Sequence, residues 1–203
     1  NINLPLFAYY GIERLPKGKV QSKDLTFGKI DGYDDSLNSK TTFTTFIEWL
    51  IQLLKLAKNV LLDTEVKKLE SQIESFESIG ANENGHPLNE MYLNFFNELI
   101  EVKKVEPINF KAKKSSQDLV NLFKNIYSDL EEIQWIYEDN GNDKVALKLE
   151  SEMIYLHQFS DGQRVMFGLI GDIARRLILL NDDNSNPFEG RGIVLIDEIE
   201  VHL

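Results

Sequence analysis

The apolar positions along this chain change their spacing several times, and each change marks an element. Leu4 to Tyr10 (LPLFAYY) is an almost unbroken apolar run that stops at Gly11, the mark of a buried strand. Residues 11–41 are rich in Gly, Lys, Asp, Ser and Asn without a period, which predicts irregular structure or a long loop. From Thr44 the spacing becomes helical: Phe46, Ile47, Trp49, Leu50, Leu53, Leu54 and Ala57 make one wide apolar face. Val66, Leu69, Ile73 and Phe76 continue it after a break near Asp63-Thr64. A turn rich in helix breakers spans Gly80 to Pro87. Leu88, Met91, Tyr92, Phe95, Phe96, Leu99 and Ile100 then fit another amphipathic helix, which Pro107 is expected to end. No heptad persists for three or four repeats, so the middle reads as compact helices rather than a coiled coil.

The last third alternates faster. A helix is predicted over Gln117 to Asp129, with Leu119, Leu122, Phe123, Ile126 and Leu130 inward. Ile133–Tyr137 and Val145–Leu149 flank Asn140-Gly141 and predict a β-hairpin with a loop longer than two residues. Met166, Leu169, Ile170, Ile173, Leu177 and Leu180 recur at helical offsets. Ser160 can cap that helix, and Gln163 stands three residues on, the capping-box arrangement. After a polar loop from Asn181 to Arg191, Ile193 to Ile196 are uninterrupted aliphatic residues that suit a parallel strand covered on both faces. The fold class expected is α/β, in three parts: a strand and loop over 1–41, helices over 42–130, and hairpin, helix and strand over 131–203.

Composition narrows the classes. The chain has 203 residues, 42% hydrophobic and 27% charged, the make-up of a globular protein with a good core. No apolar run approaches the roughly eighteen residues of a membrane span, and no signal peptide is visible, so no membrane partner is expected. The absence of cysteine excludes disulfides and cysteine-based metal sites, and fits a reducing, cytoplasmic setting. A net charge of −11 argues against a free-standing nucleic-acid binder. Lys17, Lys19, Lys23 and Lys29 give the early loop a local positive charge, read first as a solvated surface and second as a face toward a nucleotide or nucleic acid.

Candidate chemistry gathers after Gln158. Asp197 and Glu198 follow an apolar strand, and open α/β sheets place ligands at the carboxyl ends of their strands. Such a pair serves nucleotide hydrolysis: the first acid holds Mg2+, usually through water, and the second orients and deprotonates the attacking water. The cap, worth about 1 kcal/mol, explains Ser160 and Gln163. It does not explain Gly162, because glycine inside a helix costs about 1 kcal/mol against alanine. A phosphate docking on exposed N–H groups does explain it, although Asp161 is an awkward neighbour for an anion. Farther along, Gly168 and Gly171 allow close packing, and Arg175-Arg176 complement the helix dipole or act as functional cations.

FSDGQR at 159–164 resembles the LSGGQ signature of ABC-type ATPases, and IVLIDE at 193–198 resembles their Walker B strand. The likeness is greater to the SMC-like and OLD-like branch, where the acids lead into His-Leu-His-Pro; here the run is Ile199-Glu200-Val201-His202-Leu203. FAYYG, FSDGQR, GDIARR and GIVLIDEIEVHL together look like the predicted ATP-binding proteins of Septu and retron anti-phage systems (PtuA-type). The resemblance implies part of an ABC-type P-loop ATPase head with a helical insertion, using ATP and Mg2+. In such enzymes the signature of one subunit faces the phosphate loop of another, giving a homodimer with ATP sandwiched between heads. Carried over, Ser160, Gly162 and Gln163 would meet nucleotide in trans, Asp197 would serve the metal, Glu198 would be the general base, and His202 would contact the nucleotide. A nuclease effector is the implied partner, with nucleic acid reached through that complex. The alternatives are an SMC-type DNA-repair or chromosome ATPase and a nucleotide-binding scaffold with little turnover. The long loop before Walker B and the helical insertion keep a transporter subunit remote. No G-x-x-x-x-G-K-[ST] phosphate loop occurs in the chain, which begins with Asn1. The loop is therefore expected upstream in a longer protein, and this stretch alone is expected not to turn over ATP.

Overall fold

A computed structural model describes residues 4–11, 28–38, 43–58, 60–78, 89–137, 143–182 and 184–198. The elements in order are β1 (Leu6–Tyr10), a 3₁₀ turn (Lys29–Tyr33), α1 (Thr44–Ala57), α2 (Val60–Ser78) and α3 (Asn89–Phe123). Then come β2 (Leu130–Tyr137), β3 (Asp143–Leu149), β4 (Met153–Tyr155), α4 (Asp161–Leu180) and β5 (Gly192–Ile196). The chain is α/β and separates into two compact units, Asn1–Leu54 with Ser115–Leu203, and Lys55–Lys114.

In the first unit, β1 and β5 pair in parallel from Leu6 opposite Gly192 to Tyr10 opposite Ile196. Strands so far apart in sequence can pair in parallel only through a long crossover, and α4 supplies the helix that lies against them. Leu6, Ala8 and Tyr10 point to α4 and join Phe43, Val165, Leu169 and Leu180 in one buried cluster, with Val194 and Ile196 partly covered. The opposite face is not covered among the described residues: Phe7 is 43% exposed, and Ile193 and Leu195 are each 58% exposed. This corrects the expectation of a strand covered on both faces. An unbroken aliphatic run shows that both faces are apolar; it does not show that the same stretch of chain covers both.

The α1 face packs on α4 where α4 lacks side chains. A Cβ at Gly168 would lie 2.3 Å from the Phe43 ring, and one at Gly171 would lie 2.1 Å from the Phe46 ring. The two glycines therefore serve close packing, as their spacing predicts. Phe167 continues the contact, stacked on Phe123 with ring centroids 4.6 Å apart and edge-on to Phe159 at 6.2 Å.

The expected hairpin forms as β2 and β3, antiparallel from Leu130 opposite Leu149 to Tyr137 opposite Asp143, with a register shift between Leu130 and Glu132. Its loop, with Asn140-Gly141, lies outside the described residues. β4 adds a third strand beside β3, one that the sequence analysis did not predict.

The second unit holds α2 and most of α3. Leu69, Ile73 and Leu99 are buried together, with Tyr92 and Phe95 packed on them. Phe76 stacks on Phe95 at 5.6 Å, and the Tyr92 hydroxyl donates to Glu77 at 3.1 Å. Early residues of α3 thus meet late residues of α2, which makes the pair antiparallel. Three sequence expectations change here. The helical break falls between Ala57 and Val60, and Asp63-Thr64 lie inside α2. Pro107 does not end its helix, because α3 runs through it for 35 residues. Proline removes one N–H from the ladder and costs roughly 3 kcal/mol in a helix interior, a local penalty that does not stop the helix here. The helix expected over Gln117 to Asp129 is the end of α3 and stops at Phe123, and Leu130 opens β2 instead. The breaker-rich turn from Gly80 to Pro87 lies outside the described residues. No helix among the described residues is long and apolar enough to cross a membrane.

Candidate functional site

The start of α4 is built by local chemistry. Ser160 takes an extended backbone (φ −61°, ψ 162°), and its hydroxyl accepts from the Gln163 N–H at 3.3 Å. Gln163 reaches back to accept from the Ser160 N–H at 2.9 Å, so the capping box is complete. Phe159, buried against Phe167, fixes where the chain enters the helix. Gly162 occupies the second helical position and is half-buried. The N–H groups of Asp161 and Gly162 have no acceptor among the described residues, as the first turn of a helix leaves them. Asp161 is paired with the Arg164 guanidinium. That pairing lowers the objection that an acid beside Gly162 repels an anion.

The acid pair is built by the sheet. The Asp197 N–H donates to the Tyr10 carbonyl at 2.9 Å, extending the β1–β5 ladder one residue past β5. Both acidic side chains are exposed, and neither makes a hydrogen bond or ion pair among the described residues. Glu198 takes φ 45°, a left-handed conformation that costs a non-glycine residue roughly 1–2 kcal/mol. Residues held in such conformations concentrate at active sites and switch regions. His202 lies outside the described residues, as do Lys17, Lys19 and Lys23. Lys29 pairs with Asp182 at 3.5 Å, which places that charge in a surface ion pair.

The donors at the strand end are compatible with Mg2+. No group of three or more metal-ligating side chains forms among the described residues, so no all-protein cage of the zinc or calcium kind is present there. Mg2+ keeps most of its water and binds through one or two carboxylates together with substrate phosphates. An exposed Asp197 at a strand's carboxyl end fits that requirement.

No hydrogen bond or ion pair joins Ser160, Gly162 or Gln163 to Asp197 or Glu198 among the described residues. A buried network that the sequence did not reveal links the end of β1, beside the acids, to the middle of α4. The Tyr10 hydroxyl donates to Asp172 Oδ2 at 2.8 Å. Arg175 Nε donates to Asp172 Oδ1 at 2.9 Å, and Arg176 Nε donates to Oδ2 at 2.8 Å. Arg176 Nη1 then donates to the Gly32 and Asp34 carbonyls, each at 2.9 Å. All four side chains belong to residues no more than 3% exposed. Arg175 and Arg176 are therefore neither solvent-facing dipole partners nor free cations; they neutralise a core carboxylate. The signal was present in GDIARR, since Asp172 stands three and four residues before the arginines, the spacing of helix ion pairs.

Burial by itself pushes the Asp172 carboxyl up, but the Arg175 and Arg176 guanidiniums outweigh it and hold the group below the usual carboxylate range. Burial, and then the Asp172 charge, push the Tyr10 phenol far above its ordinary value, so it stays a donor at any working pH. Arg176 is raised: burial opposes its charge, and Asp172 more than restores it.

No family model matches the chain. It is similar to the retron Ec83 probable ATPase of Escherichia coli, 27% identical over 221 residues covering all of this chain and 40% of that protein. It is also similar to the retron Vc95 probable ATPase of Vibrio cholerae serotype O1 biovar El Tor, 28% identical over 222 residues with the same coverage. The chain thus spans about two-fifths of the length of these curated relatives.

Proposed function

We propose that this chain is the signature and Walker B portion of an ATP-hydrolysing protein of anti-phage defence, of the kind its retron-named relatives represent. The observation that carries the reading is Asp197-Glu198 leaving the carboxyl end of a parallel strand, exposed, with Glu198 in a left-handed conformation. A capped helix start with two free N–H groups and a glycine, preceding that strand in sequence, supports it.

Phosphoryl transfer needs positioning and charge stabilisation more than covalent chemistry. Asp197 would hold Mg2+ through water or directly, and the ion would supply positive charge against that developing on the phosphate oxygens. Glu198 orients the attacking water and accepts its proton. Ser160 and Gly162 offer a hydroxyl and a bare N–H to a γ-phosphate, and Gln163 keeps that helix start closed. As the ABC-type resemblance implies, each nucleotide is shared between two copies, the signature of one facing the acids of the other, giving a homodimer with ATP between heads. Turnover in that dimer controls a partner effector such as a nuclease.

The test is Glu198→Gln in the full-length protein. ATP turnover is expected to fall roughly 10²–10⁴-fold, while ATP-dependent dimerisation, followed by light scattering, persists. Unchanged turnover would remove Glu198 from the role of base.

A further inference from the structure

We propose that Tyr10 is a positioning residue that ties the Asp197-Glu198 turn to helix α4, so that the acids and the signature move as one piece. The inference rests on the functional reading above. Tyr10 is the last residue of β1, and it makes two bonds in two directions. Its carbonyl takes the Asp197 N–H at 2.9 Å, immediately before Glu198. Its hydroxyl donates a hydrogen bond to Asp172 Oδ2 at 2.8 Å. One buried residue therefore grips both the turn that carries the acids and the helix that carries Ser160 and Gly162.

Among the described residues the other direct contacts between strand and helix are apolar. The only further polar route is indirect, through the turn that Arg176 holds and that bonds β1 by Ser36 to Tyr9 and Tyr33 to Pro5. Leu6, Ala8, Val165 and Leu169 pack between sheet and helix. Apolar packing is non-directional, so it resists separation far better than it resists sliding. The Tyr10–Asp172 bond is directional and sits in a dry core, where such a bond fixes one arrangement among several apolar ones. Asp172 cannot yield easily, because Arg175 and Arg176 hold both its oxygens and Arg176 is itself anchored to the Gly32 and Asp34 carbonyls. At about 1.5 Å per residue, Ser160 stands roughly 18 Å from Asp172 along the helix axis. A shift of α4 imposed at its start is thus carried to Tyr10 and, through its carbonyl, to the residue before Glu198. The left-handed Glu198 backbone is the kind of conformation that persists only when its surroundings hold it.

The experiment compares three variants of the full-length protein in ATP turnover: Tyr10→Phe, Glu198→Gln and Ile133→Val. Phenylalanine keeps the ring and its packing on Phe43 at 6.1 Å and removes only the hydroxyl. Ile133 is buried in the β2–β3–β4 sheet, and its trimming to valine gives a modest loss of stability without touching the network. Assays run at a temperature where every variant keeps the wild-type near-ultraviolet circular dichroism. Tyr10→Phe is expected to lower kcat about 10-fold with KM for ATP within about 2-fold, since geometry at the acids is lost and ground-state binding is not. Ile133→Val is expected to match wild type. Wild-type kcat in Tyr10→Phe alone overturns the inference, as does an equal fall in Ile133→Val, which would reduce the effect to stability. Wild-type turnover in both Tyr10→Phe and Glu198→Gln overturns the reading of the acids first, and this inference with it.

Discussion

Along β1 and β5, neighbouring residues of the same apolar character meet opposite surroundings. Leu6, Ala8 and Tyr10 are buried under α4, while Phe7, Ile193 and Leu195 stand largely in the open. The strands alternate, so one residue's step in sequence crosses from a packed layer to a bare one. The covered face also carries a buried polar network centred on Asp172, in which only Arg175 Nη2 lacks a hydrogen-bond partner among the described residues. Stability and registration are thus concentrated on one side of a two-stranded sheet, and the acid pair leaves its carboxyl end. The contrast can be broken or sharpened by substitution on each side.

The largest effect is expected at Asp172, beneath the covered face. Asp172→Asn leaves two buried guanidiniums without a counter-charge, and breaking a buried pair in this way costs about 3–5 kcal/mol. Urea unfolding would report it as a lower midpoint at unchanged slope. The pH dependence gives a second reading. The folded carboxyl is held below its unfolded value of about 3.9. Its contribution is therefore fully present above pH ~4 and is lost as the pH falls toward the folded value. Wild type should lose stability steeply on acidification below that point, and Asp172→Asn should lose less. Parallel profiles would mean that the carboxylate is not the ionised centre of the network.

A smaller loss is expected at Leu6, the buried start of β1. Leu6→Ala removes core volume beside Gly192, where the two backbones approach so closely that even a Cβ on the glycine would sit 2.3 Å from the Leu6 carbonyl oxygen. Such tight strands collapse poorly onto a void, so about 2–3 kcal/mol is expected, within the range for large-to-small core changes. Thermal unfolding followed by circular dichroism measures it. A loss under about 1 kcal/mol would show that the covered face is looser than its burial indicates.

What could be read in the sequence was what neighbouring residues decide between themselves. Ser160 and Gln163 form their capping box because both partners lie within one turn, and Gly168 and Gly171 announce close packing by spacing alone. The apolar run of β5 announced a strand, and the hairpin was marked by its flanking β-rich runs. What failed was decided at a distance. Tyr10 meets Asp172 across 162 positions, and nothing local links a strand-end tyrosine to a helix carboxylate. Pro107 obeyed tertiary context over its own preference. The two arginines were misread because their location, core or surface, depends on which face of α4 meets the sheet. The acids themselves were plain in sequence as Asp-Glu after a strand, whereas the backbone twist at Glu198 was not.

The smallest effect is expected on the bare face, and it decides whether the contrast is real in solution. Leu195 is flanked by Val194 and Ile196, which point to the α4 layer, yet its own side chain is largely exposed. Threonine introduces the β-branched shape that strands favour while removing apolar surface from contact with water. If the face is open in this chain, Leu195→Thr removes no packing, and stability should change by no more than about 0.5 kcal/mol. Binding of a hydrophobic dye such as anilinonaphthalene sulfonate should fall at the same time, because an apolar patch has been interrupted. A loss above about 1 kcal/mol, with no change in dye binding, would mean that another layer covers this face in solution. The two sides of the sheet would then differ only in which segment packs on them, and the asymmetry of β1 and β5 would belong to this stretch of chain alone.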